Sequence, residues 1–427
     1  MMKIYDLSEV PEEEIFHRQE ASDDVSAPVA EILRAVQERG DEALFSYARK
    51  FDGAELSNLE VTPEEIAEGA AQVEPEFTDI LREAAERIRA FHVKQKREGF
   101  LMTERDGVIL GQKITPLARV GIYVPGGTAA YPSTVFMNAI PAHIAGVGEI
   151  VMATPPGRDG KIRPAILAAA KLAGVTRIFK MGGAQAVAAL AFGTQSVPKV
   201  DKIVGPGNAY VAEAKRQVFG RVNIDMIAGP SEVLVIADET SNPAWVAADL
   251  LSQAEHDKMA SAVLVTDSQA LAEAVAQKVE EQLRALEREE IARASIERNG
   301  KIIVARSLTE AVAVANRIAP EHLELSVDNP FDYLGQIEHA GSIFLGRYNP
   351  EPMGDYFAGP NHTLPTMGTA RFYSPLSVDD FIKKSQFSYY TREALRQDYQ
   401  KVSRFAMEEG LTAHARAVNI RFEEGEA

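Results

Sequence analysis

Along this chain the spacing of apolar residues changes twice, from helical to strand-like and back, and each change predicts a different kind of element. Over the first hundred or so residues, apolar positions recur every three or four places among many charges. That spacing predicts helices from Ala27 to Phe51 and from Thr62 to Lys96. From Val120 the pattern turns to short β-rich runs at 120–127, 149–157, 177–183 and 199–205, each closed by Gly or Pro and followed by an Ala-rich helical stretch. A second set of strand-like runs follows at 232–237, 261–267, 301–305 and 341–345, again with helices between. After Pro375 the spacing returns to helical through Asp379 to Lys384, Arg392 to Glu408 and Thr412 to Phe422. Gly410 is suited to stop one of these helices and Thr412 to cap the next.

Strands alternating with helices are the sequence form of a parallel, doubly wound sheet. The prediction is therefore an α/β fold of two Rossmann-like parallel-sheet domains, with a helical N-terminal region and a small helical C-terminal tail. A ligand crevice is expected at the carboxyl ends of the strands. The expected division is an arm over 1–25, a first Rossmann-like domain from 26–118 with 231–375, a second over 119–230, and the tail over 376–427. No short-period repeat is present, and the two strand-helix sets read as a duplication.

Composition narrows the function more than the fold. A length of 427 residues suits two or three domains. The 62 acidic residues outnumber 45 basic ones and are spread along the chain, for a net charge of −17. This argues against nucleic acid or an anionic membrane as partner. The first residues are acidic where a signal peptide needs positive charge, and no apolar run approaches a membrane span, so a soluble cytoplasmic protein is expected. There is no cysteine. Disulfides, thiolate metal sites and thiohemiacetal chemistry are thereby excluded, and any metal must be held by N and O ligands.

Candidate chemistry is concentrated in a few segments. Asn242 suits a helix cap and Pro243 the first helical position, after which Val246, Leu250, Gln253 and His256 fall on one stripe. An amide and an imidazole thus continue a buried line, which fits a metal, a polar substrate or a hydrogen-bonded helix end. No G-x-G-x-x-G occurs; Gly205 to Tyr210 comes nearest, without an acidic residue at the ribose position. Tyr123, Gln185 and Asn208 each stand just past a strand, where they can meet a ligand or serve the turn. Of eight histidines, His17, His92 and His143 lie in or beside helical segments and suit solvated or packing roles. Glu321 and His322 follow Pro320 at a helix-to-strand junction, a carboxylate beside an imidazole, suited to acid and base work if a turn aims both at the crevice. The Gly- and Pro-rich loop from Met353 to Pro365 carries Asp355 and His362, and Glu409 and His414 bracket the Gly410 break.

Five motifs in order, Ser231 to Asp238, Gln253 to His256, Pro320 to Leu323, Gly354 to His362 and Glu409 to His414, resemble those of the histidinol dehydrogenase family. The resemblance runs from about Ala27 to Phe422. It implies one zinc per subunit, held by Gln253, His256, Asp355 and His414, with Glu321 and His322 as the catalytic pair. Substrate contacts would fall on Ser231, Gln253, His256, His322, Asp355, Glu409 and His414, and NAD contacts on Tyr123, Gln185 and Asn208. The first Rossmann-like domain would then carry the metal and catalytic residues and the second the NAD contacts. The implied reaction is the four-electron oxidation of L-histidinol through the aldehyde to L-histidine with two NAD, the last steps of histidine biosynthesis. The family is a homodimer whose tail is exchanged with the partner subunit. Rival readings are a relative oxidising another small polyol such as a sulfonated propanediol, a zinc hydrolase, which would lack an H-E-x-x-H here, and a non-catalytic binding module.

Overall fold

The computed structural model describes residues 2–16, 24–126 and 131–423. His17, Gly127 and part of the expected arm lie outside that set. The chain divides into two compact units. One comprises the residues up to Lys96 together with Leu117–Phe381; the other comprises Arg97–Pro116 and the segment from Ile382 onward.

The first unit contains two all-parallel sheets. A five-stranded sheet has the order Arg177–Lys180, Glu149–Thr154, Arg119–Tyr123, Lys202–Val204, Asn223–Ile224. A six-stranded sheet has the order Lys3–Asp6, Lys301–Val304, Ser261–Thr266, Glu232–Ala237, His322–Ser326, Ser342–Leu345. In both, the first strand of the set lies in the middle, the second and third extend to one side, and the fourth and fifth to the other. The shared order supports the reading of a duplication, to which Lys3–Asp6 adds an edge strand. Continuous runs such as Glu-Val-Leu-Val-Ile-Ala at 232–237 form these strands because helices cover both faces, so no face needs polar residues.

The cores correct one expected boundary. Val29, Leu33, Val36 and Leu44 pack with Phe179, Val187, Leu190 and Ile203 on one face of the five-stranded sheet. Leu81 and Ile88 pack with Ile122, Phe136 and Ile150 on the other. The N-terminal helices therefore belong with residues 119–230, not with 231–375 as expected. Their amphipathic spacing shows that one face is buried but does not say which sheet receives it. Of the described residues before Asp24, Lys3–Asp6 adds an edge strand to the six-stranded sheet and Ile15 packs in its core; the faces of that sheet are filled by Val235, Leu250, Leu264 and Val279 on one side and Ile236, Val265, Val314 and Leu325 on the other.

The second unit holds the other departure. Ile382–Tyr390 is a strand, not the predicted helical continuation, and it pairs antiparallel with Val108–Pro116, which also pairs with Phe100–Met102. Gly111 lies opposite Phe387, and a Cβ there would come within 2.4 Å of the Phe387 ring. Helices Arg392–Glu408 and Thr412–Asn419 follow, separated by Gly410 at φ +75°. Thr412 is the first residue of its helix and Leu411 takes the cap position, so Thr412 does not cap as expected.

The helix Pro243–Ala254 starts as its sequence predicts. The Asn242 side chain accepts the N–H of Ala244 at 2.9 Å, and Pro243 opens the first turn. Asn242→Ala is expected to cost about 1 kcal/mol, read as a lower thermal midpoint with the KM values unchanged.

Candidate active site

The catalytic candidates sit where two neighbouring parallel strands begin. Glu232–Ala237 and His322–Ser326 are paired, with His322 opposite Val233. The first N–H groups of such strands lack ladder partners, and here the carboxylates supply them. The Glu232 N–H donates to Glu321 Oε2 at 2.9 Å, and the Glu321 N–H donates to Glu232 Oε2 at 3.3 Å. Met367 N–H donates to the other Glu232 oxygen at 3.2 Å. His322 Nδ1–H donates to the Glu232 carbonyl at 2.9 Å, which leaves the Nε2 lone pair free.

The turn that Glu321 and His322 require is present. The preceding helix stops at Ile318, and Ala319 takes a left-handed conformation at φ +51° that Cβ-bearing residues seldom adopt. Both side chains are buried, with Glu321 Oε2 3.6 Å from His322 Nδ1. Burial drives the His322 imidazolium pKa down to about 4, so the ring is neutral. Burial likewise pushes the Glu321 carboxyl well above its ordinary range, with the charges of Glu232 and Asp355 adding to the effect.

Around His322 lies a cluster from the helix Glu351–Tyr356 and the loop after it. Ligating atoms of His322, Glu351 and Asp355 lie within 4.8 Å of one another. Asp355 Oδ1 is 3.2 Å from His362 Nδ1. Burial would raise the Asp355 carboxyl, but the bond to His362 outweighs it and holds Asp355 ionised. Glu351 goes the other way, pushed up to about 10 by burial and by the charge of Asp355. His322, Asp355 and His362 line a cavity of about 60 Å³.

The helix Pro243–Ala254, which carries Gln253 and is followed by His256, contacts the helix Glu351–Tyr356. Gln253 is buried, and its Nε2 has no hydrogen-bond partner. His256 is exposed, and its charge bears on His322. One turn earlier, Asp249 bonds to Glu324 in a buried carboxyl pair; burial lifts Asp249 to about 6 and Glu324 well above its usual range. Glu324 Oε1 also accepts the Glu351 N–H at 3.0 Å.

The expected NAD contacts stand at the carboxyl ends of the other sheet: Tyr123 is the last residue of its central strand, not past it as expected, while Gln185 and Asn208 follow strand ends. The Tyr123 hydroxyl accepts the Gly183 N–H at 3.1 Å, and burial pushes its pKa up to about 12. Gln185 is buried in the helix that Gly183 opens. Asn208 caps the helix Ala209–Val218, its oxygen accepting from Tyr210 and Val211, so only its Nδ2 remains for a ligand. Ser231 ends the connection between the two sheets. Glu409 and His414, both exposed, belong to the second unit.

The crevice expectation needs correction for the six-stranded sheet. Its chemistry gathers at the amino ends of the strands, because the helix Pro243–Ala254 runs back past them before delivering Gln253 and His256. Sequence reasoning also missed Glu232, Asp249, Glu324 and Glu351. Two of them, Asp249 and Glu324, carry a legible signal, a carboxylate inside an otherwise apolar run, as in His-Leu-Glu-Leu-Ser at 322–326.

The family model for histidinol dehydrogenase matches residues 16–422. A histidinol dehydrogenase of Bacillus cereus is 58% identical over 400 residues, covering 94% of this chain and 93% of the relative. One from Listeria monocytogenes is 57% identical over 400 residues, with coverage of 94% and 93%. The chain belongs to the histidinol dehydrogenase family. It is accordingly an oxidoreductase, and the crystal structure of histidinol dehydrogenase from Elizabethkingia anophelis shares its fold at a TM-score of 0.93 and 41% identity, over 98% of both chains.

Family membership implies NAD and a metal, and the cluster has the donors for one. Asp355 is held as an anion, His256 offers an imidazole, and Gln253 has a buried Nε2 without a hydrogen-bond partner. Rotation about the last Gln253 torsion presents its oxygen, the atom a hard or borderline cation takes.

The carboxyl pair behind the site gives a pH prediction. Asp249 and Glu324 hold protons more tightly folded than unfolded. Their stabilisation is therefore complete in acid and lost as pH rises through about 6. Asp249→Asn should melt about 3 °C above the parent at pH 8, with the difference closing by pH 4.

Proposed function

We propose that this chain oxidises L-histidinol through L-histidinaldehyde to L-histidine in the cytoplasm, consuming two NAD and one water, and works as a homodimer. In this reading zinc is held by Gln253, His256 and Asp355, with His414 supplied from the tail of a second copy. The observation that carries the reading is the state of His322: buried, neutral, fixed through Nδ1 by the Glu232 carbonyl, with Nε2 open beside Asp355.

When bound, the zinc supplies Lewis acidity and a fixed anchor for the substrate's amine and imidazole. His322 Nε2 takes the alcohol proton as the carbinol carbon gives up its hydride. Glu321, whose affinity for a proton is raised by burial, takes a proton from the water that adds to the aldehyde. His322 then serves the resulting gem-diol in the same way. With no cysteine in the chain, the second oxidation has no thioester route. Tyr123, Gln185 and Asn208 receive NAD, Ser231 contacts the substrate, and Glu409 receives its cationic end. The homodimer reading is supported by a tail unit that leaves Phe405, Met407 and Leu411 exposed, apolar surface suited to docking on another chain. Among the described residues no helix is long and apolar enough to cross a membrane.

Given L-histidinol and excess NAD, the enzyme should yield two NADH per histidine; one or none overturns the reaction. His256→Ala and His414→Ala should each lose metal, whereas His322→Ala should keep it and lose about 10²–10⁴ in kcat. Metal loss in His322→Ala would reverse these assignments. Mixing Glu321→Ala chains with His414→Ala chains should restore activity in the heterodimer, and heterodimers that form without rescue would place His414 in its own subunit's site.

A further inference from the structure

The loop Gly205–Asn208 joins the strand Lys202–Val204 to the helix Ala209–Val218, and its first residue is held on every side. Gly205 sits at φ +114°, and a Cβ there would lie 2.1 Å from the Tyr123 carbonyl oxygen. Both of its backbone polar groups are captured by one buried ion pair. The Gly205 N–H donates to Asp225 Oδ2 at 2.7 Å, and its carbonyl accepts from Lys215 Nζ at 3.0 Å. Lys215 and Asp225 pair with each other, with side chains only 3% and 1% exposed. The second Asp225 oxygen also accepts the Met226 N–H at 2.7 Å.

A buried ion pair is weak evidence for stability, because desolvating two charges offsets much of their attraction. What this one fixes is geometry. Lys215 lies on the helix that Asn208 caps. Asp225 opens the connection 225–231 that crosses from the five-stranded sheet to the six-stranded one. That connection is pinned at Gly229, whose N–H donates to Thr366 Oγ1 at 2.6 Å, and at Ser231, whose carbonyl accepts the Ser261 N–H at 2.9 Å. It ends at Glu232, the residue that orients His322.

We propose that Lys215 and Asp225 are positioning residues for the cofactor. They clamp the Gly205 loop, and with it Asn208 and Tyr123, to the connection that carries Ser231 and Glu232, and so set the distance between cofactor and base. Neither touches a ligand. The proposal rests on the reading of Tyr123, Gln185 and Asn208 as NAD contacts.

The test uses the zinc-loaded enzyme and an apolar replacement of the pair, Lys215→Met with Asp225→Leu. Swapping the ion pair itself for apolar side chains is often neutral, but it also removes the partners of the Gly205 N–H and carbonyl and of the Met226 N–H, so this variant should melt below the parent. It should raise KM for NAD at least about tenfold, with KM for histidinol and zinc content within about twofold of the parent. Asp225→Asn keeps the acceptor for Gly205 but not the charge, and should raise KM for NAD by about threefold to fivefold. If the double variant does not fold, Asp225→Asn decides alone. An unchanged KM for NAD in the folded variants, while Asn208→Ala raises it, makes the pair merely structural and overturns the proposal. If Asn208→Ala and Gln185→Ala also leave that KM unchanged, the cofactor assignment falls first and takes the proposal with it.

Discussion

The site depends on how two adjacent parallel strands begin. A parallel ladder leaves the first N–H of each strand without a partner, and an unpartnered buried N–H costs about 1–3 kcal/mol. Glu232 and Glu321 resolve this by each accepting the other's N–H, which ties the two strand starts together across 89 residues of sequence. Once they are tied, the Glu232 carbonyl is the acceptor within reach of His322 Nδ1. The tautomer and direction of the base follow from strand pairing. Gly341 belongs to the same arrangement: a Cβ there would lie 2.5 Å from the Glu321 carbonyl, so the neighbouring strand can close only over glycine.

The two sheets share a strand order yet use opposite ends. In the five-stranded sheet the residues expected to meet NAD stand at the carboxyl ends, as open α/β sheets usually arrange their ligands. In the six-stranded sheet the chemistry stands at the amino ends. A duplicated fold brought into a single unit can thus offer the finishing end of one half and the starting end of the other, and the seven residues 225–231 make that connection.

Much of this was legible in the sequence because it is local. Strand runs closed by Gly or Pro, the Asn242 and Pro243 helix start, and the polar break at Gln253 are set by neighbours in the chain. What was missed depends on distant partners. The covering helices of residues 26–92 show an amphipathic face but not the sheet it meets. Ile382–Tyr390 became a strand because Val108–Pro116, far away in sequence, offered an edge, and its polar and aromatic residues alone did not declare it. The site shows the same split. Glu321 with His322 reads as chemistry by adjacency, whereas Glu232 and Glu351 matter only through what folding places beside them.

The buried carboxyls show what the arrangement costs. Asp249, Glu324 and Glu351 are desolvated near one another and near Asp355, so the first three are driven toward their protonated forms while Asp355 is held as an anion by its bond to His362. Four ionised carboxylates at such spacing would repel one another and draw in water; one anion among proton-bearing neighbours does not. Among these four the negative charge is therefore concentrated on a single side chain beside an open imidazole nitrogen. A fold selected for stability alone would replace these groups with apolar ones of similar volume. What they leave instead is one fixed anion, one neutral imidazole and one buried amide nitrogen without a hydrogen-bond partner.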